Sequence, residues 1–168
     1  AEFSALLRGA HTTRLTDDLL ARLCATLQQD QRDLLYRLSL ATRSVSVGVV
    51  QELADVDPAI ERSRECLTNL NGAWLQSEVS QKYSVSPLVT QLLRDNLGRE
   101  LKEQCHIVLG NGITRESMDP WRAHAAICHY RAGKAYDLAG LLFVELLAQS
   151  RWRTHVAAFR PILAIWSS

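Results

Sequence analysis

The stretch from Asn71 to Leu93 constrains the fold more than any other part of this 168-residue chain. Gly72 is expected to end a preceding helix, because glycine readily adopts the left-handed conformation that stops helices. Two short alternating segments flank residues 77–81, and Ser86-Pro87 has the form of an N-cap followed by proline at the first helical position. The order helix, hairpin, helix predicts a winged helix. Its hairpin must pack on the neighbouring helices, because a lone hairpin is marginally stable in water.

Helical periodicity predicts four helices before the hairpin. The first is expected from Thr16 to about Leu27, the second from an N-cap at Asp30, and the third from about Val47 to Asp55. Asp57-Pro58 has the form of another start signal and predicts the fourth helix, which occupies the position of a recognition helix. The apolar stripe of this fourth helix is expected to contain Ile60, Ser63, Leu67 and Leu70.

The charge of the fourth helix argues against DNA binding. The acidic residues Asp57, Glu61 and Glu65 outnumber the basic residues Arg62 and Arg64, so DNA phosphates would be repelled. The formal net charge of the whole chain is only +1, which gives no strong electrostatic attraction for a polyanion. We therefore expect this helix to contact protein.

A long helix is predicted from Ser86 to about Leu109, with Gly98 as its weak point. Gly110-Asn111-Gly112 is expected to break the chain after it, because two glycines and an asparagine favour turns. A second unit is predicted to begin there.

The predicted second unit is a helical hairpin of the tetratricopeptide kind. Asp119-Pro120 predicts the start of its first helix, Gly133 a turn, and Lys134 the start of the partner helix. A further helix from about Arg151 to Ile165 would stack on this hairpin, and Pro161 should kink or shorten it.

The predicted fold class is therefore mainly α, with a winged-helix domain and a small β-hairpin followed by tetratricopeptide-like antiparallel helices. The expected regions are an N-terminal tail or cloning remnant at 1–15, the winged-helix domain at 16–110, and the helical hairpin with a partial repeat at 111–168. Repeat arrays usually need at least three repeats for stability. We therefore expect either a piece of a longer protein or self-association that covers the C-terminal helices.

Two segments resemble signal-transduction NTPases of the STAND class, which includes apoptotic ATPases and plant resistance proteins. Lys82-Tyr83-Ser84-Val85-Ser86-Pro87-Leu88-Val89 resembles the family segment that ends the wing and starts the last winged-helix helix. The stretch from Asp30 to Ser39 is similar to the family's opening of the winged helix, and the resemblance covers roughly Thr16 to Leu109. It implies a regulatory and protein-interaction module of a nucleotide-switched ATPase, with the parent's own ATPase core or another protein as partner.

The resemblance also implies a role for Ser86, which stands where the family has a nucleotide-sensing histidine. A serine hydroxyl can donate one hydrogen bond, but it is shorter and uncharged; capping the helix that Pro87 begins is its other role. No GxxxxGK[ST] phosphate-binding loop occurs in the sequence, so we expect neither catalysis nor a cofactor in this segment. ADP or ATP would bind elsewhere in a full-length parent.

Three aromatic residues are candidates for contacting a partner peptide: Trp121, Tyr130 and Trp152. They either line the surface of the repeat unit or belong to its core, and the usual burial of aromatic side chains favours the core.

A metal site would have to draw on His124 and Cys128, four residues apart, and on Cys105-His106. Adjacent helical residues diverge by about 100 degrees, so Cys105 and His106 cannot easily share one ion, and no metal site is expected. The four cysteines lack a close CxxC pair and favour a reducing, cytoplasmic location. No apolar stretch is long enough to suggest a membrane span.

No serine or cysteine lies in a setting typical of a catalytic nucleophile, so the sequence does not predict an enzyme. The alternative function is a winged-helix DNA-binding transcription regulator with a helical dimerisation tail. An adaptor without a switch is a third reading.

Overall fold

The chain folds into helices with one small antiparallel sheet. The computed structural model describes residues 22–78, 80–86, 90, 97–148 and 163–164. The helices are α1 (Gln29–Ser39), α2 (Val47–Asp55), α3 (Ser63–Leu70), α4 (Arg99–Thr114), α5 (Pro120–Ala132) and α6 (Tyr136–Ala148). The strands are β1 (Val45–Ser46), β2 (Leu75–Ser77) and β3 (Lys82–Val85). The mainly α fold class with a small hairpin is confirmed.

The predicted wing is the hairpin of β2 and β3, which pair antiparallel with Leu75 opposite Val85. Gly72 has a φ of 89°, and its N–H donates to the Leu75 carbonyl over 2.8 Å, so the predicted helix stop is confirmed. The sequence did not predict β1, which adds a third strand in the order β1-β3-β2. This strand has only two residues, too few to show an alternating pattern.

The first two described helices show how local capping sets a helix start. The predicted N-cap at Asp30 is wrong, because α1 begins at Gln29 after an N-cap at Gln28. The Gln28 N–H donates to the Gln31 side-chain oxygen over 3.2 Å, which moves the start two residues earlier. The prediction for α2 matches its bounds, and the Ser46 hydroxyl caps it by accepting from the Val49 N–H. Of the predicted Thr16–Leu27 helix, the described part is a helical turn at residues 22–25.

Helix α3 begins at Ser63, so the start predicted at Asp57-Pro58 is wrong. The cause is Arg37 of α1, whose side chain is 1% exposed. Its Nη2 donates to the Pro58 carbonyl over 2.5 Å, and its Nη1 donates to that of Val56 over 2.8 Å. These carbonyls are thereby held in the loop instead of accepting the N–H groups of a helix. The predicted apolar stripe is buried as expected: Ile60, Ser63, Leu67 and Leu70.

Helix α4 corrects two predictions about the long helix after the wing. It starts at Arg99 with Gly98 as N-cap, and it continues through Gly110-Asn111-Gly112 to Thr114. A Cβ on Gly110 would lie 2.6 Å from the Tyr130 ring, and one on Gly112 would lie 2.6 Å from Val49. The glycines therefore allow α5 and α2 to pack closely on α4, instead of breaking it. Most of the predicted helical stretch before Gly98 lies outside the described residues.

The predicted helical hairpin is confirmed as α5 and α6. The Asp119 side chain caps α5 by accepting from the N–H groups of Trp121 and Arg122 over 2.8 and 2.9 Å. A Cβ on Gly133 would lie 2.7 Å from the Glu103 carbonyl, so the turn after α5 needs glycine to sit against α4. The predicted helix from Arg151 to Ile165 lies outside the described residues, apart from helical residues 163–164.

Two hydrophobic clusters meet along α4. The first contains buried residues of α1, α2 and α3 together with Leu75, Cys105 and Leu109. The second lies between α5 and α6 and includes Ile113 at its edge. One helix thus contributes to both clusters, while the boundary at residue 110 stays a prediction. Within the described ranges, no helix combines the length and apolar character needed to cross a membrane.

Candidate functional site

A cleft of about 350 Å³ lies where the winged helix meets the helical hairpin. One wall is the segment 43–46, the second is the wing around Ser80 and Lys82, and the third is formed by α4 and the start of α5, including Ile113, Glu116 and Arg122. We call this space the wing cleft. Because its walls come from three distant parts of the sequence, it exists only when the two units are packed together.

An ion-pair cluster joins two walls of the wing cleft. Glu116 Oε1 lies 2.5 Å from Lys82 Nζ, and Glu116 Oε2 lies 3.4 Å from Arg122 Nη1. Arg115 also pairs with Glu52 of α2 beside the cleft. Partly exposed pairs of this kind contribute at most about 1 kcal/mol each, so their main effect here is to fix the side chains.

Arg43 differs from the other basic residues of the wing cleft. Its side chain is exposed and makes no ion pair with any residue that the structure describes. Glu78, an exposed acid of the wing, is likewise without an ion pair inside those ranges. The cleft therefore presents one unpaired charge of each sign beside a fixed cluster of two bases and one acid.

A second polar cluster lies behind the cleft, between α4, α5 and the segment after α1. The Nδ1 atoms of His106 and His129 lie 2.9 Å apart, and His129 Nε2 lies 3.3 Å from the Thr42 hydroxyl oxygen. Burial, with a smaller effect from His106, lowers the pKa of His129 to about 4. Close by, the Tyr130 hydroxyl donates to Asn111 Oδ1 over 3.0 Å. These contacts tie the hairpin to the winged helix.

The structure describes two of the three residues predicted to contact a partner, and these two lie in different surroundings. Trp121 is 68% exposed, so the expectation that it belongs to the core is wrong: on α5 it points away from the second cluster. Tyr130 is 4% exposed and packs against Gly110, so it belongs mainly to the core, and it also borders a cavity of about 250 Å³ together with Leu138 and Leu142. Trp152 lies outside the described residues.

Ser86 is half-buried at the end of β3. Its N–H donates to the Trp74 carbonyl over 3.0 Å, and its carbonyl accepts from the Thr90 hydroxyl over 3.1 Å. Residues 87–89, which would follow a helix cap, lie outside the described ranges. The structure thus places Ser86 at the wing's base, about one strand away from the wing cleft.

The four residues weighed as metal ligands also lie apart. His124 approaches Cys128 with its ring nitrogens 3.9 and 4.0 Å from Sγ, whereas His106 faces His129. Burial raises the pKa of the Cys105 thiol to about 11, so it stays protonated and behaves as an apolar core residue. In the part of the chain that is described, no three His, Cys, Asp or Glu side chains are grouped to hold a metal ion.

An exposed apolar face runs along α6. It consists of Tyr136, Leu138, Leu141, Val144 and Leu147. Apolar side chains that recur at this spacing usually face another helix or a partner.

The fold can be compared with known proteins. No protein-family model matches the sequence, and a comparison with curated proteins gives no match. Among solved structures, the chain is similar to a Signal Transduction ATPase with Numerous Domains (STAND) protein with a tetratricopeptide repeat sensor from Pyrococcus horikoshii, with a TM-score of 0.66. The chain has the fold of one segment of a STAND protein.

The alignment covers 86% of this chain but only 21% of the STAND protein, at 21% sequence identity. At that identity the similarity concerns the fold. It agrees with the resemblance to STAND proteins noted for residues 82–89, and the chain spans about a fifth of the STAND protein's length.

Proposed function

We propose that this chain is a non-catalytic regulatory and protein-interaction module of a larger nucleotide-switched signalling ATPase. The observation that carries the proposal is the fold similarity to a STAND protein across 86% of the chain. In this proposal the winged helix packs on the ATPase core in the resting state, and the repeats receive the signal or a partner.

The surface of α3 supports a protein partner over a nucleic acid. Glu61, Arg62, Arg64 and Glu65 are all exposed, and Arg62 lies 4.0 Å from Glu65. A DNA-reading helix needs unpaired basic and amide groups toward the groove, whereas these charges offset one another.

The switching mechanism we propose is a rigid-body shift between two packings, biased by nucleotide bound outside this segment. ADP or ATP would bind to the parent's core, because this sequence has no phosphate-binding loop. Ser86 is the proposed point of contact with that nucleotide. We place the protein in the cytoplasm, which the free thiols of its four cysteines support.

The test is a binding measurement between this chain and the nucleotide-binding core encoded in the same gene. Isothermal titration calorimetry with ADP and with a non-hydrolysable ATP analogue should show tighter binding in the ADP state, because the resting packing is the one proposed to dock. Equal affinity in both states would contradict the switch. A gene without any phosphate-binding loop would contradict the proposal as a whole.

A DNA titration separates this proposal from a transcription regulator. Fluorescence anisotropy with a random duplex at low salt should show no tight, salt-sensitive binding, since such binding requires several unpaired basic contacts. Tight binding that weakens steeply with added salt would favour the regulator instead.

We also propose that C-terminal helices self-associate, which the exposed apolar face of α6 supports. Light scattering over a range of concentrations tests this, and a strict monomer at all concentrations would contradict it.

A further inference from the structure

We infer that the wing cleft is the docking site for a short protein segment that carries an acidic side chain next to an apolar one. This inference rests on the proposed function as an interaction module and names the surface and the chemistry of the partner.

The size and position of the wing cleft fit a short segment. Its volume of about 350 Å³ falls within the range of about 300–1,000 Å³ that binding pockets occupy. It is open to solvent between two packed units, and clefts at such junctions are common binding sites.

The charges of the wing cleft favour an acidic ligand. Its lining carries Arg43, Lys82 and Arg122 against Glu78 and Glu116. Lys82 and Arg122 are held by Glu116, which leaves Arg43 as the unpaired base that an incoming carboxylate can meet within the described residues. Glu78, on the wing, would repel an acid, so we expect the carboxylate of the segment to lie toward Arg43 and away from Glu78.

The floor of the cleft supplies the apolar part of the recognition. Val45 and Ile113 are half-buried there, above the buried side chains of Val49 and Leu109. Gly112 has no side chain, so Val49 occupies the space next to it and no side chain of residue 112 projects into the cleft. An apolar side chain placed on Val45 and Ile113 would bury surface that water now covers.

This combination selects a peptide over other anions. A bare phosphate would leave the apolar floor uncovered. Single-stranded nucleic acid binds on aromatic side chains, and there are none among the described residues of the lining. A carboxylate beside a leucine-like side chain uses both features at once.

The experiment is a selection of random seven-residue peptides displayed on phage against the whole chain. Enriched peptides should carry Asp or Glu within two positions of Leu, Ile or Val. Representative synthetic peptides are then titrated by fluorescence anisotropy against the wild-type chain and its variants.

Two substitutions at the cleft should act in opposite directions. Arg43→Glu should weaken binding by at least about fivefold, and Glu78→Gln should leave it unchanged or tighten it a few-fold, since one removes an attraction and the other a repulsion. Both side chains are exposed, so neither change should alter the thermal unfolding midpoint, which is measured alongside. Glu61→Gln, in the turn before α3 and not part of the described cleft lining, is the matched control and should have no effect.

Any of three results would overturn the inference. The selection could enrich basic peptides or no peptides, or the Arg43→Glu variant could bind the peptides as tightly as the wild type. Millimolar inorganic phosphate could also displace the peptides completely, which would indicate a simple oxyanion site. The titration uses this chain alone, without nucleotide. The proposed role in an ATPase can therefore fail while peptide binding holds, and the reverse is equally distinguishable.

Discussion

At the scale of single residues, Arg37 is a charged side chain that is buried inside the winged helix. A buried guanidinium is costly unless its donors are satisfied, and here four backbone carbonyls accept from it: those of Leu53, Ala54, Val56 and Pro58. It thereby fixes the loop between α2 and α3. Sequence periodicity treats such a residue as an ordinary polar position of α1.

Replacing Arg37 with methionine should lower the free energy of unfolding by at least about 3 kcal/mol, because several buried carbonyls lose their donors. Urea unfolding followed by circular dichroism measures this. Arg64→Met is the control, since Arg64 is exposed on α3 and should change stability by no more than about 0.5 kcal/mol. Equal shifts for both variants would show that the loop does not depend on Arg37.

His129 makes stability depend on pH. The pKa of its ring is about 4 in the folded chain and 6.5 ordinarily. Between these values the unfolded state binds more protons, so acidification favours unfolding. The free energy of unfolding should fall as pH drops from about 6.5 to about 4, by up to about 3 kcal/mol from this group.

Urea unfolding at several pH values between 7 and 4.5 measures the effect of His129. His129→Asn cannot take up a proton, so the difference in stability between wild type and variant should shrink as pH falls. A difference that stays constant across this range would contradict a neutral buried histidine.

At the scale of elements, the sequence predicted several bounds that local signals set, but it did not predict the bounds that distant contacts set. The bounds of α2, the stop at Gly72 and the start of α5 depend on residues within a few positions, so the sequence predicts them. The start of α3 at Ser63 depends on Arg37, which lies 26 positions earlier. The sequence did not predict the wing cleft for the same reason. Arg43 and Glu116 line the same cleft only because tertiary packing brings distant parts of the chain together.

The glycines of α4 are predicted to be packing residues. Gly110→Ala and Gly112→Ala should each destabilise the fold by about 1–3 kcal/mol, because the added methyl group would collide with Tyr130 or Val49. In an open helix the same change stabilises by up to about 1 kcal/mol, so the sign itself is informative. Gly98→Ala is a control for steric collision only, because nothing lies within 4 Å of its Cβ position; as a change at the N-cap of α4 it should cost no more than about 1 kcal/mol. Thermal unfolding of the three variants measures these changes in stability. Stabilisation by Gly110→Ala or Gly112→Ala would mean that α4 has room for a methyl group where it packs on α5 or α2.

At the scale of the whole molecule, α4 contributes residues to both hydrophobic clusters. Its N-terminal half packs in the first cluster through Cys105 and Leu109, and its C-terminal end packs beside the second through Ile113. Glu116 binds the wing, and His129 contacts Thr42. If one cluster unfolded, the part of α4 that packs against it would therefore be exposed.

We expect the two clusters to unfold together, since neither can lose α4 without disrupting the other. Trp74 reports on the first cluster in a variant whose other three tryptophans are replaced by phenylalanine, and amide hydrogen exchange of α5 reports on the second. In urea the two signals should share one midpoint. The Gly112→Ala variant, which disturbs the packing of α4 on α2, should shift both midpoints equally. If the two clusters unfolded independently, two transitions would be seen, and this variant would shift only the midpoint of the Trp74 fluorescence.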